Sequence, residues 1–314
     1  MKFKLSTYSI HELGQRSNQE DSIFPKISSG PSKSDLYILC DGMGGHAAGE
    51  VASSAVCETM SEFIGEHLHK DGAFLESDFY AALDAAYDAL DGKDTGDEKK
   101  MGTTLTFVKF HDEGCFWAHI GDSRIYQIRP SEHRILHVTR DHSLVNDLVE
   151  LGELTPEEAR TSRQKNVITR AMQPHQEKRT KADCTNITDI LPGDYFFMCS
   201  DGMLEQMEDE SLINILSMNV PDARKREILI GATKENKDNH SAHLIRVVSV
   251  KKELKEKFKE QRQSDSSLQN NTPNEKHEKP KWHLYWWVVS IIILLFVFIA
   301  LFFLKARLWS PVTP

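Results

Sequence analysis

The order of apolar and amphipathic segments predicts an α+β sandwich rather than a doubly wound parallel sheet. Strand-like runs occur at 34–41, 102–110, 115–129, 134–139, 194–200 and 242–250. Helical patterns cover 48–69, 76–91, 209–218 and 222–235, two of them long and consecutive near the front. Strands interrupted by pairs of helices break the strand–helix–strand alternation of a parallel sheet.

The elements follow in order. The start, "MKFKLSTYSIHELGQ", has no long apolar core, so no signal peptide is expected. Between strands sits a helical insert, "DHSLVNDLVELGELTPEEAR" (141–160), in which Thr155-Pro156-Glu157-Glu158 reads as a helix start. Residues 251–282 are polar and charged without a repeating apolar face, as in a linker. "LYWWVVSIIILLFVFIALFFL" (284–304) holds 21 residues without a charge, and a membrane-spanning helix takes about 20. Trp282, Tyr285, Trp286 and Trp287 gather at one border and Trp309 lies past the other, as in an aromatic belt. The expected organisation is therefore a globular body over 1–250, a linker over 251–282, a transmembrane helix over 283–305 and a short tail over 306–314.

Charge is uneven along the 314 residues, whose formal net charge is −9. Residues 251–314 carry 11 Lys and Arg against 6 Asp and Glu, which leaves 27 against 41 in residues 1–250. A body that acidic argues against nucleic acid, whose affinity rests on neutralised phosphates. The five cysteines show no CxxC spacing, and Cys40 and Cys199 lie inside apolar runs, as expected of buried thiols in a reducing compartment. Lys and Arg are nearly balanced across the apolar segment, so the cysteines and the missing signal peptide place the body on the cytoplasmic side of a single-pass, C-terminal anchor.

Five aspartates occupy similar places. Asp21 closes "SNQED" before a short apolar run, Asp41 ends "LYILC", Asp122 lies after Gly121 inside "WAHIGDSRIY", Asp201 ends "YFFMCS", and Asp238 precedes the final strand. A lone Asp-Gly is commonly a turn. Five carboxylates at or near strands, without matching Lys or Arg, are costly to bury unless a cation pairs with them. Hard oxygen ligands suit Mn²⁺ or Mg²⁺ rather than zinc. Gly42, Gly44 and Gly45 would let the chain turn sharply after Asp41 and bring a backbone carbonyl to an ion. Arg16, five residues before Asp21, could hold phosphate oxygens with its guanidinium fork.

The segments "GQRSNQED" (14–21), "DGMGGHAAGEVAS" (41–53), "GTTLTF" (102–107), "AHIGDSRIY" (118–126), "TRDHSLV" (139–145), "ITRAM" (168–172), "LPGDYFFMCSDGM" (191–203) and "KDN" (237–239) give the body a resemblance to the metal-dependent Ser/Thr protein phosphatases, the protein phosphatase 2C-like family, in their bacterial form. The resemblance implies a four-layer α/β/β/α sandwich of two antiparallel sheets flanked by helices, here followed by the C-terminal transmembrane helix. It implies hydrolysis of phosphoserine and phosphothreonine in proteins by a hydroxide held between two divalent metals, opposing a Ser/Thr kinase in signalling. By position, Asp41 would bridge both metals, Asp21 would serve one, Asp201 and Asp238 the other, and the Gly42 carbonyl would complete the set. Asp122 would hold a third, weaker metal. Glu20 would support metal-bound water, Arg16 would clamp the phosphate, and 141–160 would form a flap beside the site.

Two departures from the family pattern stand out. Met43 occupies the place where eukaryotic members carry a histidine proposed as general acid, and the nearby His46 is not assigned that role. "DNHS" (238–241) replaces the usual Asp-Asn-Ile-Thr. Two other functions fit the same residues: a catalytically silent member used as a binding or sensor module, and a hydrolase of small phosphoesters.

Overall fold

The computed structural model describes residues 2–44, 47–67, 72–94, 96 and 101–251. The chain divides into two units, Met1–Arg262 and Gln263–Pro314, and all described residues belong to the first. The expected linker and transmembrane segment therefore lie outside the described residues, apart from Lys251. Among the described residues, no helix is long and apolar enough to cross a membrane.

Two antiparallel sheets form the centre. One contains β1 (Phe3–Glu12), β3 (Ser29–Ser32), β8 (Arg124–Arg129), β9 (Arg134–Val138), β11 (Tyr195–Cys199) and β12 (His240–Val250), in the order β3-β1-β12-β11-β8-β9. The other contains β2 (Asp21–Phe24), β4 (Leu36–Met43), β6 (Leu105–His111), β7 (Gly114–Ile120) and β10 (Asp183–Ile187), in the order β10-β7-β6-β4-β2, with the short β5 (Gly102–Thr103) paired to β4. The helix pair α1 (Ala47–His67) and α2 (Glu76–Asp91) covers the second sheet, and α5 (Asp209–Ser217) with α6 (Asp222–Thr233) covers the first. This is the α/β/β/α sandwich that the resemblance implied.

Alternation within strands assigns the core. In β4, Tyr37 and Leu39 point between the sheets, while Ile38 and Cys40 point to α1 and α2. In β11, Phe196 and Met198 point between the sheets, while Tyr195, Phe197 and Cys199 pack towards α5 and α6. Both faces of these strands are buried, which is why they read as continuous apolar runs. The cysteines are free thiols, four of them buried, in keeping with their place in apolar segments.

One expectation needs correction. The run 115–129 is not one strand: the chain leaves β7 at Ile120, turns at Gly121–Ser123 with Gly121 at φ +107°, and enters the opposite sheet as β8. Asp122 thus sits in the crossing between sheets and not inside a strand. The segment between β9 and β10 holds two helices, α3 (Leu144–Glu150) and α4 (Pro156–Thr161). Thr155 caps α4 as expected: its hydroxyl accepts from Glu158 N at 3.2 Å, and Glu158 Oε2 accepts from Thr155 N at 2.8 Å.

Candidate metal centre

The topology gathers the aspartates at one end of the sandwich. Asp21 and Asp41 are direct cross-strand partners in the β2–β4 ladder. Asp201 opens a 3-10 turn just after β11, and Asp238 lies two residues before β12, the neighbour of β11 in the other sheet. Asp122 joins them from the crossing between sheets. The residues named from the sequence for their carboxylates are therefore brought together, two from one sheet, two from the other, and one from between.

Their electrostatics are those of crowded anions. Burial raises the Asp41 carboxyl well above the usual range, and Asp21, Asp201, Asp122 and Asp238 push it further, in that order. Asp21 is raised to about 7, first by burial and then by Asp201 and Asp238, against the pull of the Ser241 and Ser200 hydroxyls. Asp122 is raised to about 7 by burial, Asp201 and Asp141, with Arg124 opposing. Asp201 is raised by burial and Asp238. One oxygen of Asp21 and one of Asp122 are buried without a hydrogen-bond partner among the described residues. Like charges this close ionise together only when a cation joins them. Orphaned, buried, all-oxygen donors fit divalent ions such as Mn²⁺ or Mg²⁺.

Arg16 corrects the expectation that no cation matches these carboxylates. Its Nη2 donates to Asp238 Oδ2 at 2.6 Å, although the side chain is 55% exposed. Glu20 sits over the start of α1, within electrostatic reach of Arg16. Its backbone N–H donates to Asn239 Oδ1 at 2.8 Å, and its carbonyl accepts from Gly42 N at 3.0 Å.

Gly42 has a different reason for being glycine than the sharp turn expected of it. It lies within β4, which continues to Met43, and does not adopt a left-handed φ. A Cβ there would stand 2.1 Å from the Gly49 carbonyl oxygen and 2.6 Å from that of Glu20. The strand and the start of α1 meet backbone to backbone, and only glycine fits. Gly44 does turn, at φ +135°, while Gly45 and His46 lie outside the described residues.

Uncharged side chains and Glu205, none of them named from the sequence as site residues, hold the backbone that carries the aspartates. Ser200 Oγ donates to Asp21 Oδ2 at 2.9 Å and accepts from Ser241 N at 3.0 Å. Thr104 Oγ1 accepts from Asp41 N at 3.0 Å and touches Ser123 Oγ at 2.8 Å, tying Asp41 to the Asp122 turn. The Asn239 amide donates to the carbonyls of Leu13 and Asn18 at 2.9 and 3.0 Å, and so clamps the loop carrying Arg16 and Glu20. Glu205 accepts from the backbone of Lys237 and Asp238. Ser200, Glu205 and Asn239 lie within a few residues of a site aspartate and Thr104 lies in the segment "GTTLTF", all in or beside segments already singled out, which was the available signal.

The departure at 240 is accommodated. His240, only 2% exposed, directs Nδ1 to the Asp238 carbonyl oxygen at 3.0 Å, so the polar ring is not left unpaired. Beside the carboxylates opens a cavity of about 760 Å³, lined by Asp122, Asp201 and Asp238 on one side and by Val145, Val149, Pro156 and Ala159 from the α3–α4 segment on the other. The segment expected to be a flap does border the site.

Comparison with known proteins agrees with this architecture. The family description "Protein phosphatase 2C" matches residues 11–227. The serine/threonine protein phosphatase PstP of Mycobacterium tuberculosis is 33% identical over 240 residues, 74% of this chain and 43% of its own length, so the chain spans less than half of that relative. The protein phosphatase PhpP of Streptococcus pneumoniae is 33% identical over 234 residues, 70% of this chain and 88% of its own length. A crystal structure of the catalytic domain of PstP in complex with two manganese ions superposes with a TM-score of 0.64 at 30% identity, covering 79% of this chain and 100% of that one. The chain belongs to the protein phosphatase 2C family.

Proposed function

We propose that this chain is a metal-dependent Ser/Thr protein phosphatase that hydrolyses phosphoserine and phosphothreonine in proteins and opposes a Ser/Thr kinase. One observation carries the reading: five carboxylates from both sheets converge, two of their buried oxygens without a partner among the described residues, beside an open cavity. The family membership and the manganese in the PstP structure support it.

Asp41, the carboxylate raised by all four others, would be shared between two Mn²⁺ or Mg²⁺ ions. Asp21 would hold one ion and Asp201 and Asp238 the other, with the Gly42 carbonyl as a further donor, and Asp122 would hold a third. When bound, the metals supply a hydroxide nucleophile at neutral pH and neutralise the phosphoryl oxygens. Arg16, exposed and already aimed at Asp238, binds the phosphate as a fork once its partner is engaged elsewhere. Glu20 orients water at the edge of the carboxylate cluster, and Asn239 keeps the Arg16–Glu20 loop in place. The α3–α4 segment excludes solvent from one side of the cavity.

The test is Mn²⁺- or Mg²⁺-dependent release of phosphate from p-nitrophenyl phosphate and from phosphothreonine peptides. Normal activity in Asp41→Asn or Asp201→Asn would sink the reading, since both keep shape and remove charge. Mn²⁺ calorimetry separates a silent binding module, and a panel of small phosphoesters separates the second alternative.

The uncharged stretch at 284–304 and its bordering tryptophans support a further part of the reading, a single-pass C-terminal anchor with the phosphatase facing the cytoplasm. The full chain is then expected to float with lipid vesicles while a chain ending at 251 stays in the aqueous fraction. Equal partitioning of the two would remove the anchor from the proposal.

A further inference from the structure

Beside the Asp122 turn lies a group of side chains that the proposed chemistry does not use: His119, His142, Asp183 and Arg170. Ligand-capable atoms of the first three fall within 4.8 Å of one another, which suggests a metal site. The hydrogen bonds contradict that. Gly121 N–H donates to His142 Nδ1 at 3.0 Å, so the proton of the neutral ring, inferred from its partners, is on Nε2, which faces Asp183 Oδ2 at 3.0 Å. A metal at Nε2 needs the opposite tautomer, with Nδ1 as the donor. Arg170 Nη1, 3.3 Å from the same Nε2, donates to Asp183 Oδ1 at 3.0 Å and fills the cationic place.

The cluster instead grips Gly121. His142 holds it twice, since its backbone N–H donates to the Gly121 carbonyl at 2.9 Å while its ring accepts from the Gly121 N–H. On the other side Gly121 is hemmed in by Thr104, whose Cγ2 would lie 2.6 Å from an added Cβ. The His142 ring stacks on His119 at 4.5 Å and is itself buried. The His142 carbonyl accepts from Thr169 N at 2.9 Å, and Leu144 N donates to Val167 O at 2.9 Å, which closes the two ends of the α3–α4 segment on each other at this point.

We propose that His142 is a positioning residue that fixes the Asp122 carboxylate and ties it to the root of the α3–α4 segment, so that cation affinity at Asp122 depends on how that segment is anchored. This rests on the reading of Asp122 as a metal ligand. The dependence is reciprocal by linkage: whatever loosens the segment weakens the cation, and the cation steadies the segment.

The experiment is a titration of the full chain with Mn²⁺ alone, with free Mn²⁺ followed by electron paramagnetic resonance. In His142→Asn the amide Oδ1 stands where Nδ1 was and can still accept from Gly121. In His142→Gln the amide nitrogen stands where Nε2 was and can still reach Asp183, but the Gly121 acceptor is gone. His142→Ala and His142→Gln are expected to weaken the weakest Mn²⁺ site by about 10- to 100-fold, and His142→Asn to stay within about twofold of the parent, as for a partner that orients a ligand. Parent-like binding in His142→Ala, or a loss in folded His142→Asn as large as in His142→Ala, overturns the proposal. Asp122→Asn is the reference: unchanged Mn²⁺ stoichiometry there refutes the ligand reading itself, a different result from silent His142 variants. Nitrogen-15 resonances of the parent protein are expected to place the ring proton on Nε2. A proton on Nδ1, or stoichiometric Zn²⁺ binding that Asp183→Ala abolishes, overturns it without any His142 variant.

Discussion

Replacing Asp21 by Asn is expected to stabilise the metal-free protein at alkaline pH while abolishing its response to metal. Asp21 is 4% exposed, and burial raises its carboxyl from the ordinary value of 3.8 to about 7. A carboxylate raised in the fold contributes stability below its unfolded value and loses it as pH rises through the folded one, because the native state then holds the extra proton. Roughly three pH units separate the two values, and at about 1.4 kcal/mol per unit the ionised Asp21 costs the metal-free fold up to about 4 kcal/mol at pH 8. At pH 5 the same group costs only about a third of that. Asn has the same shape, carries no charge and can still accept from Ser200. Urea unfolding in EDTA should therefore find Asp21→Asn more stable than the parent by up to about 4 kcal/mol at pH 8, with the gap narrowing towards pH 5. Saturating Mn²⁺ should raise the parent above the variant, since binding to the native state alone stabilises it by mass action. Equal stability of the two EDTA-treated proteins at pH 8, or a gap between them that does not narrow towards pH 5, would refute the reasoning.

Other outcomes follow from the contacts around the site. Arg16→Ala should leave urea stability within about 1 kcal/mol, as its pair with Asp238 is exposed, yet lower kcat/KM for p-nitrophenyl phosphate by about tenfold or more through lost phosphate contacts; inorganic phosphate should also inhibit the variant less. Gly42→Ala forces a methyl to 2.1 Å from the Gly49 carbonyl oxygen, so chemical denaturation should show a loss of about 1–3 kcal/mol or more. Asn239→Ala removes the acceptor for Glu20 N and the donor to Leu13 and Asn18. It should destabilise the fold by about 1–3 kcal/mol and reduce turnover more than Arg16→Ala does, because both Arg16 and Glu20 lose their mooring.

How much of this was legible in the sequence depends on what each segment faces. Strands β4, β6 and β11 announced themselves because both of their faces are buried. Strand β1 did not, because its inward face carries Thr7 and Ser9, which bond Tyr37 Oη at 2.8 Å and His243 Nδ1 at 3.0 Å and so look like surface residues in a linear reading. The sheet change at Gly121–Ser123 was hidden by apolar residues on either side, and with it the true setting of Asp122. The aspartates were legible by type, since "YILCDGM" and "YFFMCSDGM" repeat one pattern. Their convergence was not, because it arises from β2–β4 pairing in one sheet and β11–β12 pairing in the other. Ser200, Thr104 and Asn239 escaped because a hydroxyl or amide reveals its role only through the atom it meets.

Those neutral residues explain how so unfavourable a cluster persists. Five mutually repelling carboxylates would push their loops apart if backbone flexibility allowed it, and beside the Arg16 pair with Asp238 the fold removes that flexibility by backbone contact. Besides Gly42, Gly14 and Gly202 stand so close to neighbouring backbone that a Cβ would lie 2.1 Å from the Asp238 carbonyl oxygen and 2.0 Å from that of Asn239. Loop 14–21, the turn after β11 and the turn before β12 are thus locked on one another. Ser241, where the family usually has threonine, extends the lock: its hydroxyl meets His11 Nδ1 at 2.9 Å, which joins β1 to β12 directly beneath Asp21. Without a cation, burial and mutual repulsion favour the protonated forms of these carboxyls. The scaffold keeps them close together, so a cation has to displace protons and the Arg16 contact of Asp238 rather than gather the carboxylates. A rigid, pre-positioned and electrostatically unsatisfied set of oxygens is what binding of a reluctantly dehydrated divalent ion requires.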